Sequence, residues 1–338
     1  MLGTLDAESS GKLIAKGRGA NGHEPFTAYD DLSTEALLAH LRSWSPAVRD
    51  RAATVIGKKK NVPVEKLVEM LHASSLDARL GACQALASYG KEAEPAVPEL
   101  LKLLDEDHLW LRVQAVEALN GIGEPAMKAV PDLLKRIAKG PTPEDPRGME
   151  QRFLIQILFH SRTGMLARSL DDVDQDLLLE AVKAGLANQD GRTRGALGGV
   201  YQKLTLEQLR PILPAIHRAI VEKAPSGIMF DGQIQTAGLD LLSRHRVSEG
   251  LELIAGYVRH QKKHSSESHT PKLLEMLKPY GAHAQRVIPQ LEETAEYFET
   301  AEEDFPKWAS EKKAKAVREA IEEIKQRTDK PELVELDL

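Results

Sequence analysis

Small and aliphatic residues recur at helical spacing along much of the chain, and several of these stretches end at a glycine. Two of them open with the pattern Arg-x-x-Ala-x-x-Ala-Leu, and eleven positions lead from Arg79 to Gly90 and from Arg112 to Gly123. Apolar residues three and four positions apart share one face of a helix. Glycine suits the helix end because it adopts the left-handed conformation without a steric penalty. The pattern therefore predicts helices that each bury one face.

A second pattern follows these helices: Gly-(seven residues)-Pro-x-Leu, with an aliphatic residue before the proline. It occurs over residues 90–100, 123–133 and 281–291. Proline suits the first turn of a helix, where its missing N–H group costs no hydrogen bond. Together the two patterns predict a repeating unit of helix, turn and helix.

The arginines that open the first pattern set the length of the repeat. Arg49, Arg79 and Arg112 lie 30 and 33 positions apart, and Arg194 opens a degenerate later copy. This spacing is within the range of helical-hairpin repeats, in which each hairpin buries its apolar face against its neighbours. The alternating patterns typical of strands are nearly absent. We therefore expect an all-α fold, an α-α superhelix of roughly eight helix pairs from Asp31 onward.

These repeated residues resemble the HEAT-repeat family, whose members are α-helical solenoids with one helix pair per repeat. The resemblance is specific over residues 31–139, returns over residues 271–299 and is general between them. It implies a HEAT-like solenoid. The whole chain also resembles the C-terminal solenoid of large uncharacterised bacterial HEAT-repeat proteins, a resemblance that implies no known activity.

Proline and charge divide the chain into segments. Three prolines between residues 139 and 148 are too many for a helix, and a Glu- and Lys-rich stretch near residue 315 suits the soluble outer face of a terminal cap. The predicted segments are a flexible leader (1–30), N-terminal HEAT-like repeats (31–139), a proline-rich loop (140–147), degenerate HEAT-like repeats continuous with the first array (148–299), a capping helix (300–328) and a tail (329–338).

Composition narrows the range of functions. The chain has 338 residues, of which 42% are hydrophobic and 28% charged, and its formal net charge is −6. This charge disfavours a protein that grips a phosphate backbone, so we expect no nucleic-acid partner. No stretch approaches the roughly 18 consecutive apolar residues of a membrane span, so we expect no membrane insertion. Residues 1–29 lack the apolar core of a secretory signal, which makes the cytoplasm the default location and leaves export open if the chain is a fragment.

Each candidate catalytic or metal-binding motif has a simpler interpretation, so we predict no cofactor, metal or catalytic residue. Residues 17–22 match G-x-G-x-x-G but lack the preceding strand and following helix that a dinucleotide site needs. Lysines and serines typical of a solvated linker surround His260, His264 and His269, the densest group of potential metal ligands. Cys83, the single cysteine, lies among alanines and leucine on a helix predicted to be buried.

The recurring arginines have two interpretations. Stacked by the repeat, Arg49, Arg79, Arg112 and Arg194 would form a ladder that could bind phosphate or an acidic peptide. Alternatively, each arginine pairs with a carboxylate or carbonyl of a neighbouring turn. We favour this structural ladder. A nucleic-acid groove would also need surplus positive charge and aromatic residues for stacking, and neither is evident.

Apolar residues in predicted loops are the best candidates for partner contacts, since exposed aromatic and methionine side chains often mark interfaces. The alternative is that the loops fold back and bury them. Arginines beside the proline-rich loop could line a pocket there. The candidate residues are Trp44 and Trp110 in inter-helix turns, Ile228, Met229 and Phe230 in a loop, and Arg147 and Arg152 beside the proline-rich loop.

Two functions follow from this pattern. The first is a non-catalytic scaffold that presents a concave solenoid surface to a protein or peptide. The alternative is an enzyme or small-ligand-binding protein with a pocket in the irregular region 147–231, where the clean repeats stop. A general resemblance to HEAT-like bilin lyases, carried by no particular residue, implies lyase-like chemistry for that alternative.

Overall fold

The computed structural model describes residues 29–160, 162–167, 170, 172–201, 203–227, 231–260, 269–300 and 306–336. Over these residues the regular elements are helices, and two isolated β-bridges pair residues that lie outside them. The predicted all-α class is therefore confirmed. Most of the predicted leader, residues 1–28, lies outside the described residues.

The chain divides into two compact units. Unit 1 comprises Met1–Ile137 and Met149–Asp174, and unit 2 comprises Ala138–Gly148 and Gln175–Leu338. No helix occurs between residues 140 and 148, where the prolines predicted a loop.

Unit 1 is built from paired helices. Their bounds are α1 Thr34–Leu41, α2 Pro46–Lys59, α3 Val64–Leu71, α4 Leu76–Tyr89, α5 Val97–Lys102, α6 Leu109–Ile122, α7 Val130–Lys139 and α8 Met149–Phe159, with 3₁₀ helices at Gly90–Ala96, Leu103–Asp105 and Glu124–Ala129.

Both sequence patterns have their predicted structure in unit 1. Helix α4 ends at Gly90, whose φ of 62° and ψ of −145° suit a residue without a Cβ atom. Helix α5 begins one residue before Pro98. The seven residues between the two helices form a 3₁₀ helix rather than an irregular turn, which the pattern did not predict.

The core of unit 1 consists largely of alanine, leucine and valine. Cys83 in α4 is fully buried among them, as predicted. Burial raises the pKa of its thiol to about 12, so the group stays protonated at neutral pH.

Unit 2 continues the helical pairing with more irregular spacing. Its helices are α9 Gln175–Leu186, α10 Gly191–Ala196, α11 Gly198–Tyr201, α12 Leu206–Leu209, α13 Leu213–Val221, α14 Asp231–Arg244, α15 Gly250–Arg259, α16 His269–Glu275, α17 Ile288–Thr300 and α18 Lys307–Lys325, with 3₁₀ helices at Arg210–Ile212 and Lys278–Val287.

A buried tyrosine ties one repeat to the preceding turn in each unit. The Tyr89 hydroxyl donates to the Val62 carbonyl (2.7 Å) and accepts from the Val62 N–H (3.3 Å). The Tyr280 hydroxyl donates to the Val247 carbonyl (2.9 Å). Both tyrosines directly precede a repeat glycine, so two of the three copies of the second sequence pattern also mark a contact between repeats, whereas Ile122 precedes Gly123 in the other copy.

Candidate functional site

The repeated arginines of unit 1 each bind the turn that precedes their own helix. Because the repeat places them near the start of α2, α4 and α6, their guanidinium groups reach back to carbonyl oxygens at the end of the previous helix. The contacts are Arg49 to Ser43 (2.7 Å), Arg79 to Leu71 (2.9 Å) and Arg112 to Glu106 (2.7 Å).

Each of these arginines also pairs with a carboxylate of the following repeat. The nitrogen–oxygen distances are 2.9 Å from Arg49 to Asp77, 2.5 Å from Arg79 to Glu106, and 2.7 and 3.0 Å in the two-point pair of Arg112 with Glu150. The hydrogen bond from Arg79 lowers the pKa of the Glu106 carboxyl. Glu106 links two steps of the ladder, because its side chain binds Arg79 while its carbonyl binds Arg112.

In unit 2, Arg194 has a similar place but different partners. Its Nε donates to the Asn188 carbonyl (2.7 Å) and its Nη1 to the Glu222 carbonyl (2.8 Å). A buried cation needs such partners, since desolvation without hydrogen bonds is costly. In both units protein oxygen atoms hold the guanidinium groups, a geometry that favours the structural interpretation over anion binding.

Trp44 and Trp110 both lie on the surface of unit 1. Trp44 is 71% exposed in the bend between α1 and α2. Trp110 is 48% exposed and lies in the first turn of α6, not in an inter-helix turn as the sequence suggested, because the helix already begins at Leu109. The indole of Trp110 packs edge to face on Phe153, with 5.3 Å between ring centroids.

Arg152 lies beside the same aromatic pair. Its guanidinium carbon is 5.7 Å from the Phe153 ring centroid, within cation–π range. Trp110, Phe153 and Arg152 thus form one cluster on unit 1, called the Trp110 cluster below. Arg147 is exposed on the loop that belongs to unit 2. Ile228, Met229 and Phe230 lie outside the described residues.

Two further aromatic residues, half-buried Phe153 and exposed Trp308, were not among the candidates predicted from the sequence. Phe153 belongs to the regular pattern of α8 and only the fold brings it beside Trp110. Trp308 is 62% exposed as the second residue of α18, the same place that Trp110 has in α6. A large aromatic at the second position of a helix, as at Trp110, is the signal that could have identified Trp308.

The described residues contain no cluster of three or more His, Cys, Asp or Glu side chains suited to a metal ion. His260 and His269 are both exposed, and His264 lies outside the described residues. A cavity of about 220 Å³ lies in unit 2 against α16 and α18, lined in part by Leu274 and Ala320. Within the described part of the chain, no helix is long and apolar enough to cross a membrane.

Comparison with known proteins identifies the repeats of unit 1. A family model described as HEAT repeats matches residues 34–120 and again residues 64–148. No curated protein matches the chain. The matched region contains the arginine ladder of unit 1 and ends just before α8. Residues 34–148 are therefore HEAT repeats.

Proposed function

We propose that the chain is a non-catalytic interaction scaffold that binds a protein or peptide through the exposed aromatic residues of unit 1. HEAT repeats are commonly protein-interaction scaffolds. The observation that carries the proposal is the exposure of two tryptophans, Trp44 and Trp110, on that array. Tryptophan and arginine are the residues most enriched among interface hot spots.

The Trp110 cluster is already arranged for binding. Edge-to-face packing on Phe153 restrains the indole of Trp110, and Arg152 places a cation beside the rings. A partner that covers this cluster gains buried aromatic area and loses little side-chain entropy on binding, because the rings are held in place.

The arginine ladder supports this function indirectly. Arg49, Arg79 and Arg112 each join the turn before their helix to the next repeat through short hydrogen bonds. We propose that the ladder fixes the spacing between repeats, so that Trp44 and Trp110 are presented as one rigid surface. A partner then meets both anchors at once without first ordering the array.

The proposal is tested by affinity capture from the source cells. The bait proteins are the unchanged chain, the double variant Trp44→Ala/Trp110→Ala and the matched control Trp308→Ala, which removes an exposed tryptophan from unit 2. Loss of two hot-spot residues costs at least about 2 kcal/mol, or roughly thirtyfold in affinity. We expect one protein to be retained by the unchanged chain and the control and lost from the double variant.

Equal capture by all three baits would contradict the proposed surface. A thermal-shift screen with metals, nucleotides and tetrapyrroles provides the complementary test, since a ligand that binds the native state raises its melting temperature. Strong stabilisation by one of these compounds would favour the ligand-binding alternative over the scaffold.

A further inference from the structure

The chain after α18 lies extended along unit 2. Residues 329–336, called the strap below, contain no helix and run beside the turn formed by residues 246–249, which joins α14 to α15. This turn is the one that the Tyr280 hydroxyl binds through the Val247 carbonyl.

The strap binds this turn as an added strand. The Val334 N–H donates to the Arg246 carbonyl (3.0 Å), and the Val334 carbonyl accepts from the Ser248 N–H (2.8 Å), which makes a parallel bridge across Val247. Main-chain bonds of this kind recognise an extended backbone whatever its side chains.

Further contacts to the main chain of the strap continue on both sides of this bridge. They are Ala282 N–H to the Asp329 carbonyl (2.7 Å), His283 Nε2 to the Pro331 carbonyl (3.1 Å), Arg246 Nε to the Glu332 carbonyl (3.2 Å) and Leu336 N–H to the Glu249 carboxylate (3.2 Å).

Side chains of the strap contribute little burial. Leu333, Val334 and Leu336 are half-buried, while Glu332 and Glu335 are exposed. A segment held by surface hydrogen bonds and little buried apolar area opens at low free-energy cost compared with the core. We therefore expect the strap to detach at a lower free-energy cost than the unfolding of unit 2.

Unit 1 has a corresponding turn that cannot accept such a strand. There the Tyr89 hydroxyl binds Val62, and Pro63 follows where Ser248 follows Val247 in unit 2. Proline has no N–H group to donate to the carbonyl of an added strand. The N–H of Ser248 is therefore the feature that makes the unit 2 turn a binding edge.

We propose that residues 246–249, together with Ala282 and His283, form a docking site for an extended partner peptide that binds through its main chain and, like the strap, carries aliphatic and acidic side chains. The chain's own strap fills this site in cis and shows which chemistry it accepts. The inference rests on the proposed scaffold function and deepens it, by giving unit 2 a peptide site separate from the tryptophans of unit 1.

Occupation in cis sets the threshold for a partner. A tethered segment competes at an effective concentration of about millimolar for a short linker. A partner peptide therefore binds weakly while the strap is in place and more tightly once the strap is released. The strap thus acts as an intramolecular inhibitor of the site.

The test uses the full chain and a fluorescein-labelled peptide with the sequence of residues 328–338, followed by fluorescence anisotropy. Val334→Pro removes the N–H bond to Arg246 and releases the strap. We expect this variant to bind the peptide about fivefold more tightly than the unchanged chain, because a strap that contributes about 1 kcal/mol weakens a competing peptide by that factor. Adding Ser248→Pro, which copies the residue that unit 1 carries at Pro63, should abolish the gain.

Hydrogen exchange of the Ser248 amide shows whether the strap has been released. Leu336→Pro, which removes only the bond to Glu249, is the milder second variant should Val334→Pro fail to fold. A released strap with no peptide binding overturns the proposal, and so does continued protection of Ser248 in a folded Val334→Pro variant. Exchange of straps between two copies, seen as a dimer by light scattering without peptide binding, also overturns it.

The result is separable from the proposed function. Trp44→Ala/Trp110→Ala should leave peptide binding to the Val334→Pro chain unchanged, because the peptide site belongs to unit 2. If the capture experiment fails and the peptide experiment succeeds, the proposed tryptophan surface of unit 1 is contradicted. The proposed peptide site of unit 2 is then still supported.

Discussion

The turns at Val62 in unit 1 and at Val247 in unit 2 are held by the same kind of tyrosine contact. They differ in the backbone groups of the residue that follows the valine. A buried tyrosine hydroxyl binds the backbone of each valine from the next repeat. Pro63 then begins the next segment in unit 1, whereas Ser248 offers an N–H that binds the strap in unit 2.

One residue in a repeat turn decides whether its edge is closed or open. The tyrosine contact keeps the turn in place, and the next residue sets which backbone groups point outward. An array can thus keep the same packing between repeats while it acquires a strand-binding edge at one turn.

The largest effect is expected from alanine at the two repeat glycines. Gly90 and Gly281 both have positive φ, of 62° and 57°, which costs a residue with a side chain about 1–3 kcal/mol. A Cβ at Gly281 would also lie 2.4 Å from the Asp329 carbonyl, whereas at Gly90 the nearest atom is 3.9 Å away. Gly281→Ala should therefore cost up to about 1 kcal/mol more than Gly90→Ala, because it clashes with Asp329 and release of the strap limits the penalty.

Chemical denaturation followed by circular dichroism measures both variants of this pair. Equal losses of stability would show that Asp329 moves away from the new Cβ at no cost in free energy. The glycines of the two turns would then not differ in the way the structure predicts.

The next effect concerns the tyrosine hydroxyls. Tyr89→Phe leaves both the N–H and the carbonyl of buried Val62 without their partner, at a cost of about 2 kcal/mol. Tyr280→Phe removes one bond, to the Val247 carbonyl, and should cost about 1 kcal/mol. Denaturation midpoints of the two variants test this order, and a larger loss for Tyr280→Phe would contradict it.

Release of the strap should change stability less. Val334→Pro removes surface hydrogen bonds and half-buried contacts, so we expect a loss below about 1 kcal/mol with full retention of helical signal. A loss of helical circular dichroism in this variant would mean that the strap is needed for the fold of unit 2.

The smallest effect is expected at the exposed tryptophan. Trp44→Ala should change the free energy of unfolding by no more than about 0.5 kcal/mol, because its side chain is 71% exposed. A melting temperature equal to that of the unchanged chain, together with lost partner capture, would separate binding from stability. A marked destabilisation would instead assign Trp44 to the packing of unit 1.

Local patterns in the sequence predict the helices well and their partners poorly. The end of α4 at Gly90 and the start of α5 before Pro98 follow from residues a few positions apart. The carboxylate of Arg112, Glu150, lies 38 positions away, and only the stacking of repeats brings the two together. No periodicity within one repeat contains that information.

The strap shows the same limit in a stronger form. The sequence predicts only a tail over residues 329–338. The bond from Arg246 Nε spans 86 positions and ends on the main-chain oxygen of Glu332, a partner that side-chain patterns do not encode. Trp110 was misplaced for a local reason, since His108 rather than a usual capping residue precedes the first turn of α6.

Hydrogen exchange of the Ser248 amide in the unchanged chain tests the detachable strap most directly. We predict that this amide exchanges at least tenfold faster than the amides inside α15, through local opening of the strap, and that Val334→Pro speeds its exchange further while leaving α15 unchanged. Exchange of Ser248 at the same rate as α15, with both exchanging only through unfolding of unit 2, would contradict a strap that leaves its site.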